Sequence, residues 1–289
     1  MSLTISAHSS LSPWQSLPFA WEGVSPADEG SGLSQALVVL TPPESKRLIA
    51  RAVAGLPEVQ WALKNGRLGI AGGTTNAFIV EELLGEKFEK SRYTVGIVTD
   101  GVLKSTPSKG RVSPRLLDHG RPAGVGLRDF LQEFGPRDVY IKGANAVDPQ
   151  GHAGVLSSDV NGGTVGAIWG RLVASGAHLI VPVGLEKLVP SVLAAARLCH
   201  QGWYSRVMGD PCALFPLVNA TVITEIQAFR LLAGVEATHV ASGGVGGSEG
   251  AVVLSLRGPV EAVEKAFQLA QSVKGEPAVP GPAAWAAQP

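Results

Sequence analysis

Short, wholly apolar runs alternate along this chain with stretches whose apolar residues recur every three or four positions. That is the pattern of strands buried on both faces interleaved with amphipathic helices. Ala36–Leu40 reads as the first strand. Thr41-Pro42-Pro43-Glu44 then offers a Thr N-cap, Pro in the first turn and an acid at the third position. Helical spacing follows through Leu48, Ile49, Val53 and Leu56, and again through Val59, Ala62 and Leu63 until Asn65-Gly66 ends it. Leu68–Ala71 is a second strand, Gly72-Gly73-Thr74-Thr75 a tight turn, and Asn76–Leu84 a helix. Tyr93–Val98 is a strand candidate, and 102–122 is a polar stretch carrying Lys104, Lys109, Arg111, Arg115, His119 and Arg121, read as a solvated loop in preference to a lid or clamp over an acidic ligand. A short helix, Leu127–Phe134, stops at Gly135-Pro136.

Val139-Tyr140-Ile141 opens the stretch around which the rest is organised. It is a short strand running into a long loop of Gly, Asn, Asp and Ser, with helical spacing returning at Thr164–Ala174. Strand His178–Val183 and helix Ser191–Cys199 follow. Repeated strand–helix alternation predicts an α/β fold, a mostly parallel sheet with helices on both faces. From about Asp210 the order becomes strand (Val222–Thr224 or the apolar run before it), helix (Glu225–Leu232), two strands (Thr238–Ser242 and Ala251–Leu256) and helix (Val260–Val273). That order predicts a small C-terminal ferredoxin-like α+β unit. Ser242–Glu249 is Gly-rich but joins two strands, so it reads as a hairpin rather than a phosphate loop. The expected organisation is an arm at 1–34 bearing Trp14, Phe19 and Trp21, an α/β domain at 35–209, the ferredoxin-like unit at 210–275 and a disordered Pro/Ala-rich tail at 276–289.

Lys plus Arg equals Asp plus Glu at 24 each, so neither nucleic acid nor an anionic membrane surface is an expected partner. The N-terminus lacks the pattern of a signal peptide, and no uncharged apolar run approaches the roughly 20 residues that span a bilayer. Two cysteines, Cys199 and Cys212, make no disulfide framework and suit a reducing cytoplasm. The six histidines are dispersed and no Cys-x-x-Cys occurs, so no metal or cofactor is expected.

Two segments carry candidate chemistry. The strand–Gly72-Gly73-Thr74-Thr75-Asn76–helix turn can aim unpaired backbone N–H groups and two hydroxyls at an anion. The alternative is a turn that needs Gly for its backbone and Thr as a cap. Lys142, at the carboxyl end of its strand, is a candidate for a lysine of lowered pKa working by Schiff-base or proton transfer, or for holding an anion. Asp148 follows in the same loop as its candidate catalytic partner, with His152 and Asp159 beyond it and Asn145 between as a ligand-orienting side chain. The placement rests on strand ends, where open α/β sheets bind ligands. No Gly-x-Ser-x-Gly elbow supports a Ser nucleophile.

Three segments in order resemble one superfamily, that of ribose-5-phosphate isomerase type A, glucosamine-6-phosphate deaminase and CoA transferases. Gly69–Leu84 resembles its strand–Gly-Thr-Gly-Ser-Thr–helix phosphate loop. Asp138–Asp148 resembles its Asp-Val-x-x-Asp-Gly-Ala-Asp-Glu-Val-Asp segment, with Lys142 and Asn145 standing where that family has acids. Pro182–Val189 resembles its Asp-Glu-Ser-Lys-Leu-Val turn and places Lys187 on a phosphate-facing lysine. The resemblance implies an enzyme of the isomerase or acyl/CoA type acting on a small phosphorylated or carboxylated metabolite, and the C-terminal unit is the expected dimer or tetramer surface of a homo-oligomer. The replaced acids imply the alternative of a non-catalytic binding or assembly protein on the same fold. Gly234–Gly247 and Arg257–Ala266 faintly resemble bacterial microcompartment shell domains, which would make that alternative microcompartment-associated.

Overall fold

The structure, a computed structural model, describes residues 32–282. The expected aromatic arm, with Trp14, Phe19 and Trp21, lies outside the described residues. In chain order the elements are β1 (Leu33–Leu40), α1 (Pro42–Ala54), α2 (Pro57–Asn65), β2 (Arg67–Ile70), α3 (Thr74–Leu84), β3 (Gly96–Thr99), β4 (Val102–Ser105), β5 (Arg115–Asp118) and β6 (Arg121–Pro122). They continue with α4 (Leu127–Gln132), β7 (Val139–Ile141), β8 (Ala146–Val147), β9 (Ala153–Ser157), α5 (Gly163–Ser175), β10 (His178–Pro182) and α6 (Val192–Leu198). The C-terminal part holds β11 (Ala213–Leu217), β12 (Ala220–Ile223), α7 (Glu225–Ala233), β13 (Glu236–Gly243), β14 (Ala251–Pro259) and α8 (Val260–Ser272).

A mixed six-stranded sheet in the order β12-β10-β7-β2-β5-β6 forms the centre. β12, β10, β7 and β2 run parallel, whereas β5 and β6 join antiparallel, so the mostly parallel sheet expected from the alternation is a mixed one. The antiparallel strands come from the stretch read as a basic loop, whose few apolar residues hid them. The cations there are used by the fold itself: Arg115 pairs with Glu86, Lys104 with Asp100, and Arg111 bonds Thr106. Tyr93–Val98 does not enter the central sheet; among the described residues β3 pairs with β4 alone, in a separate hairpin.

Strand β7 shows why its residues are apolar throughout. Val139 and Ile141 face one core, with Leu48, Ile49, Phe78 and Ile79 of α1 and α3. Tyr140 faces the other, with Phe130, Phe134, Ile168 and Leu172 of and beside α4 and α5. A side chain of this size contributes about 1.5–3 kcal/mol when fully buried, so each face anchors the strand.

The C-terminal elements do not close on themselves as a ferredoxin-like unit. β12 is the edge of the central sheet, and β14 pairs antiparallel with β1 along the whole of β1, from Leu33 opposite Pro259 to Leu40 opposite Val252. β13 flanks β14 on the other side, with a bulge between His239 and Ala241. One hydrophobic cluster accordingly runs from Val38 to Val273, across the division expected at 209/210. The expected disordered tail begins ordered: Glu276 accepts hydrogen bonds from Arg47, and Val279 packs on that core.

Candidate functional site

Strands β2, β7 and β10 are adjacent, parallel and level. Ile70 lies beside Ile141, and Ile141 beside Ile180. The chain leaves all three at one rim, where Ala71 N–H donates to Ile141 O at 3.0 Å and Lys142 N–H to Ile180 O at 3.0 Å. The three segments singled out in the sequence therefore converge.

Gly72 is required by a close approach, since a methyl group there would stand 2.9 Å from the Tyr93 carbonyl oxygen. That carbonyl also accepts the Gly73 N–H at 2.6 Å, so the bend is fastened to the turn before β3. Gly73 is the N-cap of α3 and supplies no side-chain cap. The first bond of the helix runs from Ala77 N–H to Gly73 O, which leaves the N–H groups of Thr74, Thr75 and Asn76 ahead of the helical ladder. Thr75 is buried and Thr74 half-buried. Asn76 serves the frame: its Nδ2 donates to Ala71 O at 2.8 Å and contacts Ile141 O at 3.5 Å, tying the exits of β2 and β7 together. Its Oδ1 is buried without a donor and lies against Gly143.

Two lysines complete the rim. Lys142 Nζ donates to Gly143 O and Lys187 Nζ to Ala144 O, both at 3.0 Å, so the two ammoniums bond successive carbonyls of one short segment. Part of each side chain still meets solvent. Burial, and then the charge of Lys187, push the Lys142 ammonium down to about 8. Burial also lowers Lys187, against the pull of Glu186 and with the push of Lys46. Lys142 is thus poised to exchange a proton near neutrality, a property suited to acid–base or amine chemistry.

The sequence reading overlooked the carboxylates beside them. Glu186 bonds Lys46 of α1 at 2.9 Å through Oε1. Burial works against the Glu186 charge, but Lys46 and Lys187 outweigh it and hold that carboxyl below its ordinary range. Glu225, wholly buried at the start of α7, accepts the Leu185 N–H at 2.9 Å. Burial and then the Glu186 charge raise the Glu225 carboxyl to about 7. Glu225 follows a Thr224 N-cap with Gln227 completing a capping box, so it reads as an ordinary first-turn acid. Its only warning is a position two residues beyond an apolar strand end.

Asp148 and Asn145 are placed differently from expectation. The Asp148 side chain has no exposed surface and accepts four hydrogen bonds: Oδ1 from Gln150 N and His152 N, Oδ2 from Val192 N and His152 Nδ1, at 2.9–3.1 Å. An acceptor so occupied organises the β8–β9 turn and the start of α6, and is not presented to a reacting carbon. Asn145 Oδ1 accepts the Leu156 N–H at 3.0 Å, so its oxygen fastens β9 rather than pointing to the rim. Asp159 likewise caps its own loop through Asn161 N and Gly163 N.

A well-formed hollow lies away from the lysine rim. A cavity of about 580 Å³ lies between the β5–β6 hairpin and the two helices α4 and α5, floored by Leu116, Leu127 and Tyr140. Its Arg115 is already held by Glu86, so the convergent charged chemistry belongs to the rim. Among the described residues, no group of three His, Cys, Asp or Glu side chains gathers to hold a metal ion, and no helix is long and apolar enough to cross a membrane. Comparison with protein-family models, curated proteins and solved structures gives no match.

Proposed function

We propose that this chain is an enzyme acting on a small phosphorylated or carboxylated metabolite at the carboxyl ends of β2, β7 and β10. The carrying observation is the pair Lys142 and Lys187, two ammoniums on neighbouring strand exits that donate, among the described residues, to the backbone carbonyls of Gly143 and Ala144. In this reading the first turn of α3, with Gly72, Gly73, Thr74 and Thr75, and Lys187 receive the anionic group. Lys142, close to neutral-pH titration, takes or gives the proton at the reacting carbon, or attacks a carbonyl as the free amine. The reaction is then an enolisation, isomerisation or acyl transfer. Asp148 has no part in it beyond holding the loop.

A second reading is favoured by that same Asp148: with the loop acid committed to structure, the rim can bind an anion without turnover, as a binding or assembly protein would. A thermal-shift screen with sugar phosphates, dicarboxylates and acyl-CoAs, followed by turnover assays and borohydride trapping of any carbonyl ligand, separates the two. Stabilisation with turnover that Lys142→Met abolishes supports the enzyme. Stabilisation without turnover supports the second reading, and no stabilisation by any anion sinks both. A homo-oligomer and a cytoplasmic setting belong to the same proposal and are checked by sedimentation and cell fractionation.

A further inference from the structure

Glu186 Oε2 and Glu225 Oε1 are both buried, and among the described residues neither meets a donor in good hydrogen-bonding geometry. They lie on the same side of Gly184: a methyl group built on it would overlap Glu186 Oε2 and stand 3.1 Å from Glu225 Oε1. Two bare carboxylate oxygens cannot both remain charged and unsatisfied in a buried site, and a single proton between them satisfies both. The surroundings fit one negative charge rather than two. Lys46 of α1 bonds Glu186 Oε1, and Lys187 faces both acids from the turn after β10. Ser45 Oγ of α1, buried and not in good hydrogen-bonding geometry with any described residue, faces Glu225 and favours its ionised form, against burial and the Glu186 charge. Gly250, packed on Glu186 from the approach to β14, brings no charge.

We propose that Glu225, in its protonated form, is a positioning residue for Lys187: its Oε1–H donates to Glu186 Oε2 while its Oε2 accepts the Leu185 N–H, holding the 185–187 turn from α7. On ionisation the Glu225 Oε1–H bond breaks, its electron pair stays on the carboxylate and the proton passes to water; no other covalent bond forms or breaks. Loss of the proton places a second carboxylate charge beside Lys187 and weakens the attraction of the rim for an anion. The midpoint, about 7, lies above the ordinary carboxyl value of 4.5. The folded protein therefore holds the proton more tightly than the unfolded chain, and this contribution to stability declines as pH rises from about 4.5 through 7. The effect on anion binding rests on the rim reading above; the shared proton does not.

The test uses the full chain with glutamate carboxyl carbons labelled, and sulfate, which stays doubly charged throughout, as the anion. One Glu carboxyl resonance of the unliganded protein is expected to titrate near neutrality and to vanish in Glu225→Gln. That variant keeps a donor toward Glu186 and should hold the turn, so its melting temperature should lose the wild-type decline between pH 5 and 7.5. Sulfate affinity should fall across that range by about tenfold more in the wild type than in Glu225→Gln, the size expected of one nearby charge in a partly screened site. If no carboxyl titrates between pH 6 and 8, the shared proton is refuted, even if the variant fails to fold. If the resonance titrates but Glu225→Gln and wild type share one pH dependence of sulfate binding, the positioning role is refuted. Absence of sulfate binding at every pH counts against the lysine rim, and the carboxyl resonance then decides the shared proton by itself.

Discussion

Replacing Asp148 by Ala discriminates sharply between a structural and a catalytic acid. The substitution removes an acceptor of four donors. Val192 is wholly buried, so its N–H is left unpaired at a cost of about 1–3 kcal/mol. Gln150 is exposed and His152 half-buried, so water replaces part of what those groups lose. Together with the lost charge-assisted bonds, the expected destabilisation is about 2–4 kcal/mol, a large share of the roughly 5–15 kcal/mol that holds a typical domain. Urea unfolding followed by circular dichroism measures it directly, and the melting temperature should drop by about 5–15 °C for a chain of this size. Anion binding by the fraction still folded should be unchanged. The reasoning is refuted if Asp148→Ala unfolds within about 1 kcal/mol of wild type, and still more clearly if it keeps its stability and loses ligand.

Three further outcomes are expected. Anion affinity should decline as pH rises through about 8, where Lys142 loses its charge, and Lys142→Met should remove that limb and cost about ten- to a hundredfold in affinity by calorimetry. Arg47 bonds Glu81, Glu82 and Glu276 from a side chain only 11 % exposed, so Arg47→Met should destabilise by about 3–5 kcal/mol in urea, because three carboxylates lose their common partner. Gly72→Ala should cost more free energy of phosphate binding, by calorimetry, than free energy of unfolding, in urea, because its methyl group displaces the Tyr93 carbonyl that fastens the bend. Equal loss in both measurements would show the bend to be structural only.

Much of the local structure was legible, and most of the long-range pairing was not. The apolar runs in β2, β7 and β10 announced themselves because strands buried on both faces tolerate little else. Their convergence followed from strand–helix alternation alone. By contrast, nothing local in Leu33–Leu40 says that its partner is Ala251–Pro259, some 220 residues away, so the C-terminal order was taken for a closed unit. β5 and β6 hid in a stretch rich in basic residues: β6, two residues long, is the charged edge of the sheet, and it covers only Leu117 and Asp118 of β5. The Asp148-Pro-Gln-Gly turn showed its own chemistry plainly, since Asp accepting from the N–H two residues on is ordinary turn geometry. Only its burial, supplied by α6, decided between turn and catalyst. Glu225 stayed hidden because its counterpart Glu186 lies 39 positions earlier and both acids occupy unremarkable local contexts.

The most direct test of the rim is an amide-resolved NMR titration of the full chain with inorganic phosphate. The account predicts saturable shifts concentrated on the N–H groups of Gly73, Thr74, Thr75 and Asn76 and on those of Lys142, Gly143 and Lys187. Saturable shifts clustered instead around Arg115, Leu127 and Tyr140, or no saturable shift at all, would contradict it.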